Sequence, residues 1–339
     1  MTRAILAAAL VLAASSTPAH AQAPVLRWDA GPSLAQGRDH HATFVAGEGA
    51  RAHLYVAGGN TYGSVLADVW RAPIRRDGTL GAWAASDPLP SPRAGHGVAV
   101  AGRHVVVTAG QAPDRSYLTE TLVATARPDG TLGPWRAQAP LPAPRFHHAS
   151  VHHRGWVYVV GGLENQRSTA SVYRARVGAD GRIAAWDSLA PLPRPRSHQG
   201  SFVHGDALYL VAGLDGNPAG QHEPLRDVIR ARIHPNGSLG PWETVGTLPH
   251  AYGTHASFAH GGFAWLLGGV EDNARFVDVV LRAPLRPDGT LGEWARVERR
   301  LPNARSHVHQ TPVHRGRVYS VAGSNARRVN GEAWVGTFR

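Results

Sequence analysis

The chain contains no cysteine. That excludes disulfides, thiolate metal sites, a cysteine nucleophile and a cysteine-linked lipid anchor, so a packed core must hold the fold together. There is no lysine either, since all 35 basic residues are arginine, which removes Schiff-base chemistry and lysine general bases. The only methionine is Met1, leaving no interior thioether ligand for copper. No apolar run is long enough to span a bilayer as a helix. The longest, Ala4 to Ala14, follows Arg3 and precedes Ala19-His20-Ala21. That order describes a secretory leader cut near Ala21. The expectation is therefore a signal peptide at 1–21 and a single domain at 22–339, periplasmic or secreted.

The formal net charge of +11 raises the question of nucleic-acid binding. The arginines are scattered singly along the chain rather than clustered, so no specific nucleic-acid partner is expected.

What is present is a repeat. DGTLGAW from Asp77, DGTLGPW from Asp129, DGRIAAW from Asp180, NGSLGPW from Asn236 and DGTLGEW from Asp288 share one pattern. They place tryptophans at Trp83, Trp135, Trp186, Trp242 and Trp294, and Trp28 precedes the first by a similar interval. A period near 50 residues indicates a propeller or solenoid. Each period reads as four short strands joined by Gly-, Asp- and Pro-rich turns, without useful helical periodicity. The Asp-Gly pair supplies the positive φ of a hairpin between third and fourth strands, and the tryptophan packs the outer strand against a neighbouring unit. Residues 25–30 look like a fourth strand lacking its first three, and 305–338 like three strands lacking a fourth. Joined, they complete a sixth unit and remove the free sheet edges.

These residues resemble the kelch repeat, in which an apolar strand ending in Gly-Gly is followed by a tryptophan. Here the pairs are Gly58-Gly59, Gly161-Gly162 and Gly268-Gly269, with Ala109-Gly110, Ala212-Gly213 and Ala322-Gly323 as departures. The resemblance implies an all-β, six-bladed kelch-type β-propeller with four strands per blade, closed by the N-terminal strand pairing with the C-terminal blade. In architecture it is similar to the sialic-acid mutarotases. Galactose oxidase, another kelch relative, uses a Tyr–Cys cross-link that this chain cannot form.

Three sets of side chains recur at equivalent places. His41, His96, His148, Gln199, His255 and His309 form a column at the start of the innermost strands. Imidazoles converging on the axis could hold zinc, copper, iron or nickel; alternatively the column points between blades and serves packing. Three residues earlier stand Arg38, Arg93, Arg145 and Arg196, with Tyr252 in blade five and Arg305 shifted by one. Arginines at a channel mouth would bind a carboxylate bidentately, and Tyr252 would stack on a ligand ring; the alternative is that each arginine fixes its own connection. Glu164, Asp215 and Glu271 occupy the loops after the second strands, where paired acids could perform acid–base work on a sugar or simply face solvent. Residues 214–227 are the best candidate lid. Two function classes follow. One is a binding module taking an acidic or neutral saccharide, or a protein, at the channel face. The other is an enzyme using the histidine and arginine rings, as a mutarotase or epimerase or with a metal.

Overall fold

The computed structural model describes residues 26–338 apart from 218–220 and 309. The expected leader and His309 lie outside the described residues. Among the described residues there is a single 3-10 turn, Gly49–Arg51, and no helix long and apolar enough to cross a membrane.

Among the described residues there are six antiparallel sheets of four strands each, together with a two-stranded and a three-stranded sheet in the connections of blades three and five. The first comprises Ala42–Ala46, His53–Thr61, Ser64–Pro73 and Ala84–Ser86. The second comprises Gly97–Ala101, His104–Thr108, Thr121–Thr125 and Arg136–Ala137. The third, fourth and fifth repeat that order from Ala149, Gly200 and Ala256. In the sixth, Val313–His314, Arg317–Val321 and Ala333–Phe338 are joined by Leu26–Gly31, which pairs with the last of them from Leu26↔Phe338 to Gly31↔Ala333. The N-terminal strand thus stands where each other blade carries its own fourth strand.

Strand alternation sends successive side chains to opposite faces of a blade, and each face packs on a different neighbour. In blade one Tyr55 and Ala57 join Val98, Val105 and Leu122 of blade two. Leu54 and Val56 of the same strand join Tyr319 and Val335 of blade six. Equivalent clusters fill the junctions of blades two and three, three and four, four and five, and five and six. The core therefore lies between blades rather than within one, and no blade could bury its apolar faces alone.

The recurring turn has two structural duties. Its glycine, not the Asp-Gly pair together, carries the left-handed backbone, with φ of 80° at Gly78 and 82° at Gly130. The aspartate instead accepts from the residue two positions on: Asp77 Oδ1 takes the Thr79 N–H at 2.9 Å and its hydroxyl at 2.7 Å. The turn is also a docking point. Tyr55 of blade one donates to the Gly130 carbonyl of blade two at 2.7 Å, and Tyr158 and Tyr209 repeat this toward Gly237 and Gly289. Trp83, Trp135 and Trp186 reach the other way. Trp83 Nε1 donates to the Pro32 carbonyl at 2.6 Å and Trp186 Nε1 to that of Ala139 at 3.0 Å, both on the preceding blade's outer connection.

Of the expected lid at 214–227, residues 218–220 lie outside the described residues, and the described parts on either side are not a free loop. They continue the second and third strands of blade four, Ala207–Gly216 and His222–Arg232, past a bulge between Val211 and Gly213.

Candidate functional site

Each blade is entered through the same four residues. The first is arginine in five blades, the second makes a bridge to the end of the second strand, the third is left-handed, and the fourth opens the inner strand. The bridges Asp39↔Asn60, Ala94↔Gln111, Phe146↔Leu163, Ser197↔Leu214 and Ser306↔Ser324 fix this register. They correct the alignment of blade six. Arg305 is not shifted, and Val308 rather than His309 is the equivalent of His41.

The arginines are structural. Arg38, Arg93, Arg145, Arg196 and Arg305 are completely buried, and each guanidinium pairs with a carboxylate of its own blade: Asp68, Glu120, Glu164, Asp227 and Glu332 respectively. Arg38 also donates to the Gly58 carbonyl at 3.0 Å and Arg93 to that of Ala109 at 3.1 Å, tying the connection to the end of the second strand. With no exposed surface, they do not form a ligand ring at the mouth. Tyr252 takes the arginine's place in blade five and is equally buried. Its hydroxyl donates to Glu271 Oε1 at 2.8 Å, so it does not present a face to a ligand. Burial raises the Tyr252 hydroxyl well above the ordinary tyrosine range, and the neighbouring Glu271 adds to this. Burial also pushes Glu271 up, but bonds from Arg275 and Tyr252 outweigh it and hold the carboxyl below its usual range. Asp215 is paired with Arg194 at 2.9 Å. Glu164, Asp215 and Glu271 are thus each engaged by an arginine.

The expected histidine column lies between blades. His41, His96, His148 and His255 are all buried. His148 Nε2 meets the Thr108 hydroxyl of blade two at 2.9 Å, and Gln199 Nε2 donates to the Val160 carbonyl of blade three at 2.9 Å. A cavity of about 420 Å³ opens along the inner strands, lined by His148 and Gln199 of the column and by residues such as Thr43, Val98, Ser150, Ser201 and Ser257.

The convergence on the axis occurs one residue earlier. The third position of the connection is His40, Gly95, His147, His198, Thr254 and His307, and all six have positive φ between 53° and 59°. Their backbones are chained around the mouth. Gly95 N donates to His40 O at 2.7 Å, His147 to Gly95 at 2.9 Å, His198 to His147 at 3.1 Å and Thr254 to His198 at 2.8 Å. This ring brings four imidazoles together. His40 stacks on His307 and His147 on His198, each with centroids 3.8 Å apart, and His40 lies 4.7 Å from His147. One ligand atom from each of His40, His147 and His307 lies within 4.8 Å of the other two. His40 Nδ1 is 2.7 Å from Asp39 Oδ1, and His307 Nδ1 is 3.0 Å from the Ser324 hydroxyl. Burial pushes Asp39 up, but the bond and charge of His40 prevail and leave it below the usual carboxylate range. The doublets His40-His41 and His147-His148 carried this information; only the second member of each entered the expected column.

Beside the ring, between blades one and two, opens a groove of about 710 Å³. Asn60, Tyr62, Gln111, Arg115, His40 and Phe146 are among the residues that line it. Tyr62 is 71% exposed, the large hydrophobic side chain most open to solvent among the described residues. Phe146 stacks between Tyr117 at 5.2 Å and His40 at 5.9 Å.

No family model matches the chain. A segment of 178 residues is 26% identical to α-scruin of Limulus polyphemus, covering 50% of this chain and 18% of that protein. Another, of 135 residues, is 30% identical to Kelch-like protein 40 of Mus musculus, covering 39% of this chain and 20% of that one. The matched part is thus a fifth or less of either relative. The solved structure of YjhT superposes with a TM-score of 0.71 at 12% identity, over 91% of this chain and 99% of that one, a likeness of fold. Taken with the six four-stranded sheets and the repeated glycine and tryptophan positions, these likenesses support a kelch-repeat family and a fold like that of the kelch-type β-propellers.

Proposed function

We propose that the chain is a saccharide-binding propeller, carried out of the cytoplasm by the leader expected at 1–21, with its ligand seated in the groove between blades one and two. The observation that carries this reading is the exposed Tyr62 ring in a groove that Asn60, Gln111 and Arg115 also line. An exposed aromatic face offers the apolar side of a pyranose a stacking surface, while planar amides and a guanidinium match its hydroxyls and any carboxylate. A few polar groups converging on a concave, partly aromatic surface is how small-ligand sites are commonly built. Arg115 is exposed and in no ion pair among the described residues, unlike the five buried arginines, so its charge supports an acidic sugar over a neutral one.

Calorimetric titration with a uronic acid and with its neutral amide tests the reading. The acid should bind more tightly, and Arg115→Ala should remove roughly a tenfold preference, corresponding to a charge-assisted bond of about 1.5 kcal/mol. Tyr62→Ala should weaken both sugars. Equal affinity for acid and amide sinks the acidic-sugar reading, and no heat from either sinks the saccharide reading and leaves a protein partner.

A further inference from the structure

Four of the six left-handed positions around the channel mouth hold histidine, although the backbone asks only for a residue that tolerates positive φ. Blade two meets that demand with Gly95, at φ 57°. A non-glycine residue there stores strain, and the chain accepts it at His40, His147, His198 and His307. The outcome is imidazole crowding on the axis. The His147 side chain is almost wholly buried, and His40 and His307 are stacked face to face. The Asp39 carboxylate stands beside this cluster, 2.7 Å from His40 Nδ1 and 3.8 Å from His307 Nδ1.

From this convergence we propose that His40, His147 and His307 hold one divalent first-row transition ion at the mouth of the channel. Imidazole is the ligand these ions favour, and calcium and magnesium prefer oxygen. Three nitrogens bound to one zinc at 2.0–2.1 Å stand about 3.4 Å apart. The three ligand atoms here already lie within 4.8 Å of one another, so modest side-chain rotation closes the site. The Asp39–His40 and Ser324–His307 hydrogen bonds supply the outer partners that fix the orientation of a ligating imidazole. Three protein ligands leave a fourth position for water or a ligand group, and one of the three, His40, also lines the groove. The proposal does not depend on what the groove binds.

The test is titration of the full chain, purified without an affinity tag and stripped with chelator, using Zn²⁺ alone. One ion per chain should bind, and His147→Gly should weaken it by more than about tenfold. That variant copies the residue blade two already carries at this position, so the backbone should tolerate it. His307→Asn should act likewise, and His204→Ala, an exposed histidine on the opposite face, should change nothing. Co²⁺ absorbance of the unmodified chain gives a second readout should a variant misfold: intense visible bands of a four-coordinate, nitrogen-rich site are expected. The proposal is overturned by absence of saturable Zn²⁺ binding, by binding that survives both His147→Gly and His307→Asn, or by a weak octahedral Co²⁺ spectrum.

Discussion

The Tyr319 hydroxyl donates to the Gly78 carbonyl at 3.0 Å, joining residues 241 positions apart. It is the contact that Tyr55, Tyr158 and Tyr209 make with the following blade, here running from blade six to blade one. Tyr319→Phe should cost about 1 kcal/mol, the usual net worth of a buried hydrogen bond, increased by leaving the carbonyl unsatisfied. Tyr158→Phe should cost a similar amount, and the double variant should show the sum, because the two sites share no partner. Urea unfolding of the three proteins checks this; a Tyr319 effect much smaller than that of Tyr158 would mean that the last junction carries little of the stability.

The architecture was legible because it is periodic. Trp83, Trp135, Trp186, Trp242 and Trp294 and the Asp-Gly turns recur with each blade, and a blade has no stable existence without neighbours. The site was less legible for physical reasons. Arginine is ordinarily exposed, so the sequence left Arg38 and its equivalents open to two readings, a ligand ring at the mouth or fixtures of their own connections. The contrary signal was an acid 30, 27, 31 and 27 residues after Arg38, Arg93, Arg196 and Arg305. In blade six the run Ser306-His307-Val308-His309 offers two histidines, and only the Ser306↔Ser324 bridge fixes which blade-one residue each one matches. Tyr62 and Arg115 lie in connections that differ from blade to blade, so the repeat could not point to them.

The buried arginines carry a second prediction. Removing one partner of such a pair leaves an uncompensated charge, and Arg196→Ala should cost about 3 kcal/mol, the low end for buried pairs because Asp227 is partly exposed. In the Arg38 pair, burial pushes Asp68 up, but the Arg38 hydrogen bond and charge prevail and hold the carboxyl below its ordinary value of 3.8. Its folded pKa is depressed, so this contribution is present above the unfolded value and lost as pH falls through the folded one. Arg38→Ala should therefore flatten the acid limb of stability against pH, read by thermal unfolding between neutral pH and about pH 3. An unchanged acid limb would show that the pair contributes nothing there.

The small residue closing each second strand is left-handed whether glycine or alanine: φ is 57° at Gly58 and 50° at Ala212. An L-residue in that region costs about 1–2 kcal/mol, partly offset by the greater chain entropy that glycine loses on folding. Ala212→Gly should accordingly stabilise by about 0.5 kcal/mol. Gly58→Ala should destabilise by more than that, because the added Cβ would stand 2.6 Å from the Arg93 carbonyl oxygen as well. Melting temperatures moving in opposite directions are expected; a drop for both would mean that the alanine blade is already relaxed around its methyl group.

The interblade tyrosines also set the alkaline limit of the fold. Burial pushes the hydroxyls of Tyr55, Tyr158 and Tyr319 up to about 12 from an ordinary value of 10.0. Each must stay protonated to donate to its turn carbonyl. A raised folded pKa contributes stability that is complete below the unfolded value and is lost as pH rises toward the folded one. Between pH 10.0 and about 12 the unfolded chain has released these protons and the folded chain has not. Each tyrosine then removes about 1.4 kcal/mol per pH unit, and the three together about 4. A domain of ordinary stability has little margin against such a slope, so cooperative unfolding inside that window is expected. Ellipticity and phenolate absorbance followed together should change at the same pH, and Tyr158→Phe should reduce the slope by about a third. Phenolate appearing near pH 10 while the sheet signal persists would show that the hydroxyls titrate freely in the folded protein and that these bonds do not hold the blades together.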